Sequence, residues 1–320
     1  MAQDDVGTAW RYFRLNWAVL ALMSTALAAG VALTDFSIEP VGLAVSLGFV
    51  AVYALFAHLN ARSSTRRDPQ VMFVLGATAQ LVLVTVVMSP LTYVAAATSF
   101  PLQDANLLAI DRALGLDWRA YVEFVNDRPL LAAWLSYGYT MIRWPIFAIP
   151  VVLAAAYRYQ RLEEFTFSFA VGLIATTIVS ALVPAIGVYQ EIGLDPATLA
   201  NLEPRAYLDQ VRDLAPVRDG TLRQLDLFGL AGIVTFPSFH ATSAVLYAWA
   251  LWPVRWMRPI ALLANIAMLA STPIDGGHYF VDLAAGVAVA VLAVLAARAV
   301  SRRMAGGAAS AARREELVVT

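Results

Sequence analysis

The chain has 320 residues, of which 60% are hydrophobic and 14% charged, with a net charge of −1 and a mean hydropathy of +0.67. That balance excludes an ordinary soluble domain, points to an integral membrane bundle, and offers no basic surface to a nucleic acid. Cysteine and lysine are both absent, which removes disulfides, thiolate metal sites and any mechanism that needs a lysine.

The first sixteen residues are acidic and then carry Arg11 and Arg14 ahead of a long apolar run. A cleaved leader would begin with positive charge and end in a small-residue cleavage site, so the run reads as a retained first span, Trp17 to Thr34. A crossing takes about 20 apolar residues. By that measure seven more follow: Val41 to His58, Val71 to Ala97, Leu130 to Tyr157, Phe165 to Ile186, Phe236 to Pro253, Pro259 to Thr272 and His278 to Val300. The predicted fold is therefore an all-α polytopic bundle of about eight spans. Residues 1–70 supply two extra N-terminal spans, 71–300 a six-span core with long loops at 98–129 and 187–235, and 301–320 a small, polar cytosolic tail.

Arginine placement orients the bundle. Fourteen of the 22 arginines fall at the N-terminus, after the second, fourth and sixth expected spans (at Arg62, Arg66, Arg67, Arg158, Arg161, Arg255 and Arg258) and after the last one. An excess of arginine marks the cytoplasmic side. Both termini are thereby expected in the cytoplasm, in a bacterial inner membrane or its equivalent. The Asp35/Glu39 turn, the two long loops and the Pro273 to Gly277 turn fall on the other, acid-rich side.

Of the loops, 98–129 shows helical apolar spacing between charges. It reads as one or two amphipathic helices in the interface, gating lipid access or serving as a plain surface linker. The loop 187–235 is too long for a bare connection and reads as a lid, a head-group pocket or an unspecific cap.

The chemistry gathers in Ser271 to Gly286, STPIDGGHYFVDLAAG. His278 and Asp282 are four residues apart, a spacing that stacks them on one face of a helix and lets the carboxylate hydrogen-bond the imidazole. Gly276 and Gly277 free the backbone just ahead, where the unpaired N–H groups and positive dipole end of a helix favour an anion. The second histidine, His240, lies in TFPSFHATS after Pro237 and Ser238, residues that also suit a helix start on structural grounds alone. The third and last histidine, His58, falls at the cytoplasmic end of the second expected span and reads as a bland interfacial residue. On the arginine-based topology His240, Ser271, Thr272, His278 and Asp282 all lie at the non-cytoplasmic face.

FPSFHA followed by S-T-x-x-x-G-G-H-Y-F-V-D resembles the second and third signature motifs of the type-2 phosphatidic acid phosphatase superfamily of membrane lipid phosphatases. The GGHYFVD wording is more similar to its inositol phosphorylceramide synthase branch, and the resemblance covers roughly Val71 to Val300. It implies His278 as the nucleophile that forms a phosphohistidine, Asp282 as the acid that fixes its tautomer, and His240 as the proton donor to the leaving alkoxide. It implies Ser238 and the amides near Gly276 and Gly277, with Ser271 and Thr272 alongside, as contacts to the phosphate oxygens. Neither a metal nor another cofactor is required. The substrate would be a phospholipid or sphingolipid and the acceptor an alcohol or water; nothing bears on oligomeric state.

The first phosphatase motif, lysine, six residues, Arg-Pro, is missing, and Thr272 stands where the phosphatases carry arginine after the serine. Threonine there resembles the synthase branch and favours transfer over hydrolysis. A remaining arginine should still neutralise the phosphate. Arg143 is one candidate, a charge inside an apolar stretch, about 20 Å down the helix from Leu130 unless Pro145 kinks it. Snorkelling or pairing would account for it equally, and Arg205, Arg218 and Arg223 of the long loop are further candidates, whereas Tyr137, Tyr139 and the tryptophans read as core or interface belt. The expected activity is a lipid phosphotransferase, with a lipid phosphate phosphatase (acting on phosphatidate, phosphatidylglycerol phosphate or a polyprenyl diphosphate) as the alternative. A transporter or scaffold with structural histidines is a third reading.

Overall fold

In the computed structural model, residues 6–65 and 67–319 are described, with side chains to Met304. Arg66, Arg313 and Arg314 of the orienting arginines therefore lie outside the described backbone or side chains. Thirteen α-helices account for nearly all regular structure: α1 Val6–Leu33, α2 Pro40–Arg62, α3 Pro69–Ala96, α4 Asp104–Ala113, α5 Trp118–Asn126, α6 Pro129–Thr140, α7 Pro145–Ala155, α8 Tyr159–Leu182, α9 Val188–Glu191, α10 Arg205–Asp219, α11 Phe239–Leu251, α12 Arg258–Asp275 and α13 Phe280–Val319. The protein is an all-α polytopic membrane bundle.

Local chemistry sets several helix starts. Glu39 accepts hydrogen bonds from the amides of Val41 and Gly42 at 2.9 and 2.7 Å, and Asp68 accepts from Gln70 at 2.8 Å, each directly before a proline at the first helical position. Both satisfy amides that have no partner inside the helix.

The span count differs from the expected eight. Among the described residues, six helices are long and apolar enough to cross a membrane, or seven if the bent pair α6 and α7 is one crossing. α11 has 13 residues, about 20 Å at 1.5 Å per residue, which falls short of a hydrocarbon core of about 30 Å. Its apolar sequence continues upstream, but residues 229–238 are not helical. The expected fourth span is broken: α6 and α7 meet at 69° across Met141 to Trp144, because Pro145 has no amide hydrogen to donate back to Met141 and its ring crowds that carbonyl. α13 continues to Val319, beyond the expected end at Val300.

The two N-terminal helices behave differently from each other. α1 buries Ala9, Tyr12, Asn16, Leu20, Met23 and Leu27 in the bundle. Its Asn16 amide donates to Glu163 of α8 at 2.9 Å and its Tyr12 hydroxyl to the Ala297 carbonyl of α13. α2 buries only Gly42, Val50 and Ala57 and otherwise presents Val45, Val52, Leu55, Phe56 and Leu59 outward.

One end of the bundle is closed by a folded cap. α4, α5 and α9 share a second apolar core with the ends of α12 and α13, built around Leu107, Trp118, Val122, Val188, Tyr189 and Tyr279. The long loop 187–235 supplies α9, α10 and a two-residue strand β2 (Gln224–Leu225). This pairs in parallel with β1 (Ser37–Ile38) in the turn between α1 and α2, in the register Ser37 to Gln224. The acid-rich turn and both long loops thus meet at the same end.

Candidate active site

His278 is not on the helix that the four-residue spacing predicts; it precedes α13 by two residues. The pairing with Asp282 still forms, for a reason local to the helix start. Asp282 is the third residue of α13, and its Oδ2 reaches back to accept from the Tyr279 amide at 3.0 Å, in the manner of a capping box. The same oxygen lies 3.1 Å from Nδ1 of His278. Asp282 is fully buried and His278 is 3% exposed, so the dyad is shielded from bulk water. If His278 is neutral, the carboxylate selects the tautomer with the proton on Nδ1 and a free lone pair on Nε2.

The glycine pair shapes the space beside that ring. A Cβ on Gly276 would stand 2.5 Å from Cδ2 and 3.0 Å from Nε2 of His278, so any side chain there would occupy the face of the imidazole. Gly277 has φ of +62°, a conformation that costs other residues strain, and a Cβ would strike Tyr207. The Gly277 carbonyl accepts from the Val188 amide at 2.8 Å, which ties the turn to α9.

The expected anion cradle is distributed differently. The Gly276 amide is engaged with the Thr272 carbonyl at 3.1 Å, and the Phe280 and Val281 amides at the start of α13 donate to Asp111 of α4 at 2.7 and 2.9 Å. A carboxylate from another helix thus already fills the anion-seeking end of α13. Among the described residues, the amides of Gly277 and His278 donate to nothing. The hydroxyls of Ser271 and Thr272 both donate to the Met268 carbonyl, at 2.8 and 2.7 Å, and are fully buried.

Ser238 caps α11: its Oγ accepts from the Ala241 amide at 3.3 Å, which leaves its own proton free for another acceptor. Its amide donates to the Asp282 carbonyl at 3.0 Å, and Thr242 Oγ1 donates to the Gly286 carbonyl at 2.9 Å. These two bonds lock the start of α11 onto the first turns of α13. His240, two residues after the cap, stacks on Tyr139 with ring centroids 3.9 Å apart and planes at 21°. Its Nε2 has no hydrogen-bond partner among the described residues. Tyr139, expected in the core or interface belt, is half-buried and packs its ring on this imidazole. Tyr137 is exposed on the outer surface.

Arg143 lies in the break between α6 and α7 with its side chain exposed. The break places Arg143 at a helix junction, four residues after Tyr139, the ring stacked on His240. Arg205, Arg218 and Arg223 are engaged elsewhere: with Glu203 at 2.8 Å, the Phe100 carbonyl at 2.8 Å and the Val217 carbonyl at 2.8 Å respectively.

Two acids of α4 hold this arrangement from outside. Asp104 accepts from the amides of Ile186 and Gly187 and, at 2.9 Å, from the Tyr279 hydroxyl. Burial, with Asp104 beside it, pushes the Tyr279 phenol up, so it remains a donor. Asp111, fully buried, has its carboxyl pushed up by burial against the downward pull of the two α13 amides. The loop 98–129 is therefore a clamp on the site and not a free linker. In sequence these acids resemble the solvated edge of an amphipathic helix; their seven-residue separation, which places both on one face, is the signal that identifies them.

A family model described as the PAP2 superfamily matches residues 105–296. The match begins inside α4, so α3, expected within the matched core, lies outside it together with α1 and α2. No curated protein and no solved structure matches the chain.

Proposed function

The chain belongs to the PAP2 superfamily, whose members are generally phosphatases or phosphotransferases, and on that premise we propose that it is a lipid phosphotransferase of the inositol phosphorylceramide synthase kind. It moves a phosphate-containing head group through a phosphohistidine without a metal. The observation that carries this reading is the buried His278–Asp282 pair, bonded through Ser238 to the start of the helix that bears a second imidazole with an unpartnered Nε2.

In the first step the lone pair of His278 Nε2 attacks phosphorus while the bond from phosphorus to the leaving oxygen breaks, and His240 donates its proton to that oxygen. The positive charge that appears on His278 is stabilised through Nδ1–H by Asp282. In the second step His240 removes the proton of an alcohol or water, whose oxygen attacks phosphorus as the P–N bond breaks. The free amides of Gly277 and His278, the Ser238 hydroxyl and the guanidinium of Arg143 supply donors for the phosphate oxygens. Ser271 and Thr272 act behind them by fixing the end of α12. The cap end of the bundle, on this reading, faces away from the cytoplasm.

Transfer and hydrolysis share the first step and differ in what reaches the phosphoenzyme. Hydrolysis is the second reading, which family membership alone supports. Purified protein given a ³²P-labelled lipid phosphate, with and without candidate alcohols, separates them. Label in a new phosphorylated product supports transfer; free phosphate alone, with every alcohol, refutes it in favour of hydrolysis.

A further inference from the structure

Asp275 closes α12 immediately before the glycine pair and takes no part in the chemistry above. It is 7% exposed, it forms no ion pair or hydrogen bond among the described residues, and its Oδ2 is buried without a partner. Buried carboxylate oxygens are rarely left this way, and an orphan at a site calls for an explanation.

Its position is specific. Asp275 adjoins Gly276, whose missing side chain leaves room for His278 Nε2. The residue before it is tied to the cap, because the Tyr189 hydroxyl donates to the Ile274 carbonyl at 3.0 Å. Asp275 therefore stands at the cap end of α12, one residue from the position that borders Nε2 of His278. From that cap Arg205, paired with Glu203 at 2.8 Å, adds positive potential at Asp275 without coming within ion-pair distance. Asp275 thus has a distant cation but lacks a hydrogen-bond donor. A phosphate could not fill the gap, because two anions would repel. A hydroxyl group fits, since it donates a proton into Oδ2 without adding charge.

We infer that Asp275 is a specificity-determining residue that accepts a hydrogen bond from a hydroxyl of a polyol acceptor, holding the acceptor beside His240 and His278. The inference rests on the phosphotransferase reading. It makes vicinal-diol acceptors better substrates than simple alcohols, because a second hydroxyl binds Asp275 while the first attacks phosphorus.

The test uses the full chain in detergent with ³²P-phosphatidic acid as donor. It compares kcat/KM for transfer to glycerol and to myo-inositol with that for ethanol and for choline. Wild-type protein should prefer the polyols to ethanol, and Asp275→Ala should reduce that ratio by about tenfold to a hundredfold, the usual effect of losing a hydrogen bond to a buried charged group. Asp275→Asn, which keeps the shape and one acceptor oxygen, should reduce it only several-fold and carries the test if the alanine variant does not fold. A ratio within twofold of wild type in the folded variants overturns the inference and leaves Asp275 to a buried water or a structural role. A wild-type preference for choline over glycerol, lost equally in both variants, overturns it in favour of a cationic group. Free phosphate with no phosphorylated alcohol overturns the acceptor site while sparing hydrolysis; neither product from wild type overturns the parent reading itself.

Discussion

Gly286 offers a way to move the two halves of the site apart without touching a reactive atom. An added Cβ would lie 2.3 Å from the Ser238 carbonyl, 2.9 Å from Ala241 Cβ and 3.2 Å from the Thr242 amide. The first two contacts are with the opening turn of α11, whose Ser238 carbonyl already accepts from the Thr242 amide at 3.1 Å. Relief needs roughly 1 Å of separation between α11 and α13 to restore ordinary contact distances. That shift would pull on both bonds between the helices, Ser238 amide to Asp282 and Thr242 hydroxyl to Gly286. Overpacking of this kind costs about 1–3 kcal/mol, and an ångström of misplacement between catalytic groups costs on the order of a hundredfold in rate. Gly286→Ala should therefore remain folded at reduced thermal stability, with lipid-phosphate turnover per folded molecule down by about two orders of magnitude. Gly48 of α2, where a Cβ meets nothing within 4 Å, is the control, and Gly48→Ala should be neutral or slightly stabilising. Folded Gly286→Ala turning over within threefold of wild type would refute the claim that the α11–α13 contact sets the distance between the imidazoles.

Three further outcomes follow from the same geometry. Asp282→Asn removes the charge that stabilises a cationic His278, and kcat should fall by about 10² to 10⁴ with little change in KM, measured as phosphate release. Arg143→Ala should lower kcat/KM by about tenfold to a hundredfold, with partial recovery in Arg143→Lys; unchanged turnover would leave the arginine a snorkelling residue. Asp111→Asn breaks one of two bonds to the start of α13 and should lower thermal stability by about 1–2 kcal/mol near neutral pH. Because burial raises the folded-state pKa of Asp111, its contribution is fullest below the unfolded-state value and declines as pH rises through the folded one. The stability gap between wild type and Asp111→Asn should accordingly narrow as pH rises through that window.

How much of this was legible in the sequence depended on the distance along the chain over which each interaction acts. Long apolar runs announce α2 and α3, and the break at Pro145 is open to anticipation because a proline lacks the amide that a continuous helix needs. The His278–Asp282 hydrogen bond follows from spacing, although the spacing is used by a capping aspartate at a helix start and not along a helix face. Contacts between distant segments left little trace. Asp111 meets amides 169 and 170 residues away, and Tyr139 of α6 meets His240 of α11 with α7 to α10 between them in the chain. Neither residue type nor local pattern identifies such pairs. α11 is the expected Phe236 to Pro253 stretch trimmed to Phe239–Leu251, because the Ser238 cap opens the helix and Trp252 closes it, which hydropathy does not show. Gly276 and Gly277 were read as donors of amides, whereas the structure also uses them as absences: one keeps the His278 ring clear, the other allows a left-handed turn under Tyr207.

The central claim is that His278 carries the phosphate between donor and acceptor. Brief reaction with a ³²P-labelled lipid phosphate, alkaline quench and peptide mapping tests it directly, since a phosphohistidine survives base and is lost in acid. The account predicts base-stable label on the peptide that contains His278, formed in wild type and absent from His278→Ala. Turnover in His278→Ala at the wild-type rate, or label on a different residue, would contradict it.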